Sequence, residues 1–194
     1  MRVQEELAAL APPAWRPAGP RPLAAGCFIC FRGDAAWAAA VLMRGDRREV
    51  GSAVVRGVAD APYEPGLLAL REGPLLEAAL RALPEMPEVV MANASGRDHP
   101  RRAGLALHLG AVLGLPSVGV TDRPLLGLRL DGEEVAREVE TRAGARPVIV
   151  HSGWRTDLDC AVSVVLGATR RARTPEPLRR ARRAARRARA EADE

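Results

Sequence analysis

The sequence has no lysine, and its aromatic residues are one tyrosine, two phenylalanines and three tryptophans. With aromatics at 3% of 194 residues, alanine, leucine and valine must supply most of the core. We find no apolar run near the ~20 residues that a membrane span needs and no signal-peptide pattern, so we expect no membrane partner. Three cysteines, an odd number, argue against a disulfide framework and for a reducing compartment, which predicts a cytoplasmic protein.

Two of the cysteines, Cys27 and Cys30, have the spacing C-x-x-C inside an apolar run that is typical of a strand. Side chains three residues apart in a strand point to opposite faces, so these two would not share a metal ion. We therefore interpret them as two small core residues, in preference to the alternative of a redox or zinc pair.

The positive charge of the chain is unevenly distributed. All 29 basic residues are arginines, and the net charge is +5. Between Arg170 and Glu194, ten arginines and four acidic residues give +6, which leaves the remaining residues near −1. Two interpretations of this stretch stay open: a solvated helix face, or loose and salt-sensitive contact with DNA or RNA.

Hydrophobic periodicity predicts an α/β protein, in which an antiparallel three-strand meander precedes alternating helices and strands. The predicted strands are Leu23–Phe31, Ala36–Met43, Glu49–Val58, Pro87–Met91, Ser117–Val120 and Pro147–His151. The predicted helices are Glu5–Leu10, Leu67–Leu83 with a break at Gly73 and Pro74, Arg101–Leu113, Asp157–Leu166 and Leu178–Ala190. Glu133–Thr141 is either an edge strand or a helix, and Gly45 with Asp46 predicts a turn between the second and third strands.

These patterns divide the chain into three parts. Residues 1–22 form an N-terminal helix and a proline-rich connector, and residues 23–169 form the α/β domain. Residues 170–194 form an arginine- and alanine-rich helix or tail. Because that helix has no large apolar face, we expect it to be solvated or only partly docked.

The stretch from Met91 to Val120 predicts where a site would form. It reads as strand, loop, helix and strand, the order of a right-handed crossover unit. Sites in such sheets lie at the carboxyl ends of the strands. We therefore expect a functional site to lie at the loop Asn93–His99.

Two blocks carry a resemblance to a known family. Tyr63–Glu72 (YEPGLLALRE) and His99–Gly110 (HPRRAGLALHLG) resemble the two signature blocks of endonuclease V, in the same order and spacing. Pro116–Val120 resembles the strand that follows, and Arg173–Arg179 resembles a C-terminal Leu-Pro-Glu-Pro motif. The resemblance covers most of Leu23–Arg179.

The resemblance implies a ribonuclease H-like fold with a mixed five-stranded sheet flanked by helices. It also implies a magnesium-dependent nuclease that recognises deoxyinosine, or inosine in RNA, in DNA repair. The implied site residues are a strand-separating wedge, a loop and helix start around the extruded base, and an acidic active-site residue. In this sequence Tyr63, Pro65 and Gly66 match the wedge. Gly96, His99, Arg101 and Gly104 match the loop and helix start, and Glu72 matches the acidic residue.

Four positions depart from the family pattern. Phe28 and Asn93 stand where the family has metal-binding aspartates, Asp122 stands in place of a lysine, and Trp154 in place of a histidine. Of five expected polar site residues only Glu72 remains. Hard divalent cations need several oxygen ligands, so we expect no metal cofactor, with Glu72 and Asp122 as weak candidate ligands.

Three functional hypotheses follow. The main one is a relative of endonuclease V that lacks nuclease activity or is impaired in it, and that binds DNA, RNA or a nucleoside-like ligand. The second is an active enzyme, either a magnesium-dependent endonuclease V or a site reorganised around Glu72, Asp122, Asp98 and His151. The third is an interaction protein that docks through its C-terminal helix. Simpler interpretations are a Tyr63 packed on the body, a capping or core His99 and a hydrogen-bonded buried His108.

Overall fold

The computed structural model describes residues 2–44 and 48–192. The turn predicted at Gly45 and Asp46 lies outside the described residues. The elements in chain order are α1 (Arg2–Ala9), β1 (Leu23–Arg32), β2 (Ala35–Arg44), β3 (Arg48–Val58), α2 (Leu68–Arg81), β4 (Val89–Ala92), α3 (Leu105–Leu113), β5 (Ser117–Thr121), β6 (Arg129–Leu130), β7 (Glu133–Glu134), β8 (Ala136–Val139), β9 (Val148–Ser152), α4 (Leu158–Gly167) and α5 (Glu176–Glu191).

The central sheet confirms the predicted α/β class and is mixed. Its strand order is β3-β2-β1-β4-β5-β9-β8, with β1, β4 and β5 parallel to one another and the other neighbours antiparallel. The sheet has seven strands rather than the five implied by the resemblance, because β9 and β8 extend it beyond β5. The stretch Glu133–Thr141, left open between strand and helix, contains β7 and the edge strand β8.

Helices cover both faces of the sheet. On one face α2 packs on β1, β2 and β3 while α3 packs on β4 and β5, and the two helices share a core that includes Leu76, Leu80 and Leu109. On the other face α4 packs against β5 and β9. Cys27 lies in the core beneath α2 and α3, and Cys30 packs beneath α5 on the other face of the sheet. This confirms that the two cysteines face opposite sides.

Helix α5 packs closely on β1 and β2, so the expectation of a solvated or partly docked helix is wrong. Leu178, Ala181 and Ala185 form a narrow buried face. Small side chains let the helix backbone approach the sheet, and this close packing substitutes for the large apolar face that the sequence lacks. A Cβ atom added at Gly26 of β1 would lie 2.2 Å from the carbonyl carbon of Pro177.

The predicted break in α2 and the predicted start of α3 also need correction. Helix α2 is continuous through Pro74, because the residues beyond the proline bury their apolar face on the sheet and offset the lost hydrogen bond. Helix α3 begins at Leu105 instead of Arg101. The left-handed backbone of Arg102 (φ 54°) and the extended Gly104 keep the preceding residues out of the helix.

No helix within the described residues is long and apolar enough to cross a membrane.

The packing of α5 on β1 gives the first prediction. Gly26→Ala will lower the free energy of unfolding by about 3 kcal/mol, because backbone atoms of α5 must move to accept the new methyl group. Urea denaturation followed by circular dichroism measures the change. Gly19→Ala is the matched control, since nothing lies within 4 Å of a Cβ there. Equal urea midpoints for the two variants would contradict the close packing.

Candidate functional site

Three adjoining pockets lie at the carboxyl ends of β1, β4 and β5, the edge that the crossover unit predicts. Asn93, the first residue after β4, lines all three. The largest, here called the loop pocket, has a volume of about 260 Å³. Its walls are mostly apolar, with polar groups from Gln4, Asn93, Ser95, His99 and Thr121. Apolar walls with a few placed polar groups are typical of sites for small molecules.

The carbonyl oxygen of Gly66 joins the two signature blocks. It accepts hydrogen bonds from His99 Nε2 at 3.1 Å, Arg101 Nη2 at 2.8 Å and Gln4 Nε2 at 3.1 Å. Gly66 has φ 79°, and a Cβ atom there would lie 3.2 Å from Arg101 Nη2. A glycine at this position therefore satisfies both the backbone conformation and the space beside the guanidinium.

His99 is held in one tautomer by its neighbours. Its Nε2 lies within hydrogen-bond distance of the Gly66 carbonyl oxygen, which accepts only, so this nitrogen carries the proton. Its Nδ1 accepts from the backbone N–H of Arg101 at 3.2 Å. Burial lowers the pKa of His99. The ring is thus a neutral structural link at the wall of the loop pocket, and it precedes α3 instead of capping it.

The loop that carries Tyr63 is anchored at both ends. Arg71 donates from Nη1 to the Ala61 carbonyl at 2.7 Å and stacks over Phe31, 4.5 Å from the ring centroid. The Gly66 carbonyl secures the other end. Between them the Tyr63 side chain is 67% exposed and borders the loop pocket. The Tyr63 ring is therefore exposed on a fixed loop and is not packed on the body.

The remaining predicted binding glycines act through packing and do not line the pockets. A Cβ atom at Gly96 would lie 2.0 Å from the Ser152 carbonyl oxygen, and one at Gly104 would lie 2.4 Å from that of Ser95. Pro65 lines the loop pocket directly. Arg101 lies behind the pocket, where its Nε also donates to Gln4 Oε1 at 2.6 Å.

Glu72 lines a second pocket of about 250 Å³, together with Phe28, Asn93 and Tyr63. The carboxyl is largely buried, and this burial raises its pKa from 4.5 to about 7. The same carboxylate contributes to the raised pKa of the neighbouring Cys27 thiol, after the larger effect of burial.

Asp122 lies in a third, small pocket of about 30 Å³ with Phe28 and Asn93. Its carboxylate forms an ion pair with Arg173, and this hydrogen bond lowers its pKa. The pocket also contains Arg182 of α5, a residue that the sequence patterns did not indicate. Arg182 stacks on Phe28 at 5.6 Å from the ring centroid. The Pro-Glu-Pro motif at the start of α5 was the one sequence signal that could have indicated Arg182, since the start of the helix sets which of its residues reach this edge.

The cluster proposed around Glu72, Asp122, Asp98 and His151 does not form as one site. Asp98 is fully buried and accepts backbone N–H groups of Leu125, Leu126 and Gly127, which shapes the wall of the loop pocket. Within residues 2–44 and 48–192, no three His, Cys, Asp or Glu side chains are grouped to hold a metal ion. Tertiary packing brings Asp98 and His151 together but leaves Glu72 and Asp122 in separate pockets.

His151 lies beside Asp98, 3.9 Å between Nδ1 and Oδ2. Its Nε2 is 2.8 Å from the hydroxyl oxygen of Thr121, which itself donates to the Arg123 carbonyl. Nε2 therefore carries the proton, and the buried Nδ1 has no hydrogen-bond partner among the described residues. Burial lowers the pKa of His151 to about 4, so the ring is neutral at physiological pH.

The structure also corrects the expectations for Trp154, which stands where the family has a histidine, and for His108. Trp154 lies at the opposite end of the strands from the three pockets, where its backbone N–H donates to the hydroxyl of Ser117 at the start of β5. Thr121, at the other end of that strand, lines the site. His108 is half-buried, and its Nδ1 is without a hydrogen-bond partner in the described part of the chain, so it is not the satisfied histidine predicted.

These observations define the class of protein: an α/β domain with a loop-enclosed pocket at the carboxyl edge of its parallel strands. Comparison with known proteins gives the family. The family model described as Endonuclease V matches residues 20–183. The Endonuclease V of Methanopyrus kandleri is 42% identical over 170 residues, covering 80% of this chain and 73% of that protein.

Solved structures agree with this match. The Endonuclease V of Streptomyces avermitilis has a TM-score of 0.87 at 36% identity, covering 100% of this chain and 92% of that one. The Ciona intestinalis Endonuclease V, solved with a 24mer DNA containing an inosine followed by a ribo-adenosine, has a TM-score of 0.83 at 22% identity, covering 98% and 96%. The chain belongs to the Endonuclease V family.

The raised pKa of Glu72 predicts a pH-dependent stability difference. Between pH 4.5 and about 7 the folded state holds the Glu72 proton more tightly than the unfolded state, so wild-type stability falls as pH rises through this window. Glu72→Gln removes this dependence. Its free energy of unfolding relative to wild type will rise by about 2–3 kcal/mol from pH 4.5 to pH 8.

Urea titrations at the two pH values measure this difference, and the exposed Glu85→Gln serves as the control. If the Glu72→Gln and Glu85→Gln variants showed the same pH dependence, Glu72 would not be a buried carboxyl with a raised pKa.

Proposed function

We propose that this protein binds inosine-containing nucleic acid through the loop pocket and Tyr63, and does not cleave it by a magnesium-dependent reaction. The observation that carries the proposal is the combination of an anchored, exposed Tyr63 with Phe28 and Asn93 at the sheet edge. Membership of the Endonuclease V family supports the nucleic-acid ligand, and the Ciona intestinalis protein bound to inosine-containing DNA supports the choice of base.

The loop pocket suits an extruded purine. Leu68, Ala69 and Leu105 provide apolar surface, while the Asn93 amide and the backbone of Ala94 and Ser95 provide hydrogen-bonding groups. Enzymes that read a single base take it out of the stack and hold it between apolar walls and polar edges. Tyr63 stands beside the opening, where its ring can stack on the neighbouring base and fill the gap.

The donor set at the sheet edge does not fit a magnesium ion. Magnesium prefers near-octahedral oxygen coordination, with one or two carboxylates and several waters or phosphate oxygens. Here Phe28 provides no oxygen, Asn93 provides a neutral amide, and the Asp122 carboxylate is already paired with Arg173. Glu72 lies in a different pocket from Asp122 and carries a pKa raised to about 7, so its charge is only partly developed at neutral pH.

The role of Tyr63 is tested by binding. Tyr63→Ala will weaken binding of an inosine-containing strand by roughly 10- to 100-fold, the range expected for loss of one aromatic stacking contact. Fluorescence anisotropy at moderate salt, with EDTA present, measures the affinity. Leu70→Ala is the control, since Leu70 is also an exposed hydrophobic residue near the loop but lines none of the three pockets. Equal affinities for strands with and without inosine would overturn the proposed ligand.

The absence of magnesium-dependent cleavage is tested by incubating the protein with the same strand across a titration of magnesium and manganese. We expect no cleavage by wild type. The double substitution Phe28→Asp with Asn93→Asp supplies the two missing carboxylates, and manganese binding, measured by calorimetry, will appear in that variant. Metal-dependent cleavage by wild type that is lost in Glu72→Ala would overturn the proposal and favour an active site built around Glu72.

A further inference from the structure

Arg182 is one of several arginines on α5, but it differs from its neighbours in its contacts. It projects from α5 to the sheet edge, where its guanidinium lies over the Phe28 ring. Its side chain is exposed, and within the described residues it forms no hydrogen bond or ion pair. This contrasts with Arg179, Arg180 and Arg187 on the same helix, which pair with glutamates. The guanidinium thus lies over the ring and near the Asp122 carboxylate, while its N–H donors remain available.

The surroundings of Arg182 favour an anion. The small pocket that it lines also contains the Asn93 amide, the hydroxyls of Thr121 and Thr174, and Asp122. The negative charge of Asp122 is compensated by its ion pair with Arg173. Arg146 adds a third guanidinium, which donates from Nη2 to the Asp122 backbone carbonyl at 3.1 Å. Three guanidinium groups around one carboxylate leave this edge with a net positive charge.

Phe28 and Asn93 determine what Arg182 can do. If both positions carried aspartates, as the family resemblance implies, their carboxylates would attract the guanidinium and occupy its donors. The phenyl ring instead supports the guanidinium by a cation–π contact. The neutral Asn93 amide adds a donor and no competing charge.

We propose that Arg182, supported by the Phe28 ring, binds a phosphodiester group of the nucleic-acid strand at the edge where the family resemblance implies a metal ion. A guanidinium donates two parallel hydrogen bonds to phosphate oxygens and keeps its charge at all physiological pH values. The protein therefore holds the strand next to the flipped base without a divalent cation. This inference rests on the proposed function for its ligand, but its test separates the two.

The experiment compares Arg182→Ala with Arg183→Ala by fluorescence anisotropy in EDTA, over a series of potassium chloride concentrations. The two variants lose the same charge from adjacent exposed positions, but Arg183 borders a different groove with Glu49 and Ser52. Each is measured with an inosine-containing single strand and with the same strand lacking inosine. Thermal melting by circular dichroism establishes that both variants are folded.

Arg182→Ala will weaken binding of both strands by roughly tenfold, as expected for a lost charge-assisted contact, and will reduce the salt slope by about 0.7. Arg183→Ala will change affinity by less than about threefold. The preference for inosine will be unchanged in Arg182→Ala, because a phosphate contact carries no base information. Phe28→Leu keeps an apolar side chain but removes the ring, and will show an intermediate loss.

Equal losses in Arg182→Ala and Arg183→Ala would overturn the phosphate contact, because general charge would then account for binding. If wild type bound both strands with equal affinity, the proposed function would fail. A selective loss in Arg182→Ala would in that case still support the phosphate contact. Phe28→Leu indistinguishable from wild type would overturn the role of the ring.

Discussion

The geometry of the site depends on one carbonyl oxygen, that of Gly66. Three donors from distant parts of the chain, Gln4, His99 and Arg101, converge on it and fix the Tyr63 loop to the segment before α3. A partly buried acceptor with this many donors is costly to disrupt, since three hydrogen bonds are lost together. The loop pocket therefore has a preformed wall, and Tyr63 is exposed because the backbone on both sides is held. The N-terminal helix contributes through Gln4 and is part of the site.

At the sheet edge beyond this pocket, uncharged side chains stand at two positions where the family resemblance implies aspartates. Phe28 and Asn93 put a ring and an amide between Glu72 and Asp122, so the two acids lie in separate pockets. Each then responds to its own surroundings: burial raises the pKa of Glu72, while Arg173 lowers that of Asp122. With Arg173 and Arg182 beside the single carboxylate of the small pocket, positive charge dominates this part of the edge. This balance underlies both the proposed loss of the metal and the proposed phosphate contact.

Much of the fold followed from local patterns. The meander of β1, β2 and β3 and the crossover around β4 and β5 were predicted from periodicity, as was the separation of Cys27 and Cys30 onto opposite faces. The signature blocks located the Tyr63 loop and His99. The errors have a common cause, since each depended on a partner distant in sequence. Packing on the sheet kept α2 continuous through Pro74, and the bare backbone at Gly26 let α5 dock without a large apolar face.

The sequence by itself determined the family, the class of fold and the residues at the sheet edge, because these are properties of residue type and spacing. Only the tertiary structure decided which side chains share a pocket. It separated Glu72 from Asp122, placed Trp154 at the far end of β5, and brought Arg182 onto Phe28. The physical reason is that a strand's end and a helix's docking angle are set by packing over the whole sheet. Proximity between residues 28, 93 and 182 cannot be obtained from the local pattern around any one of them.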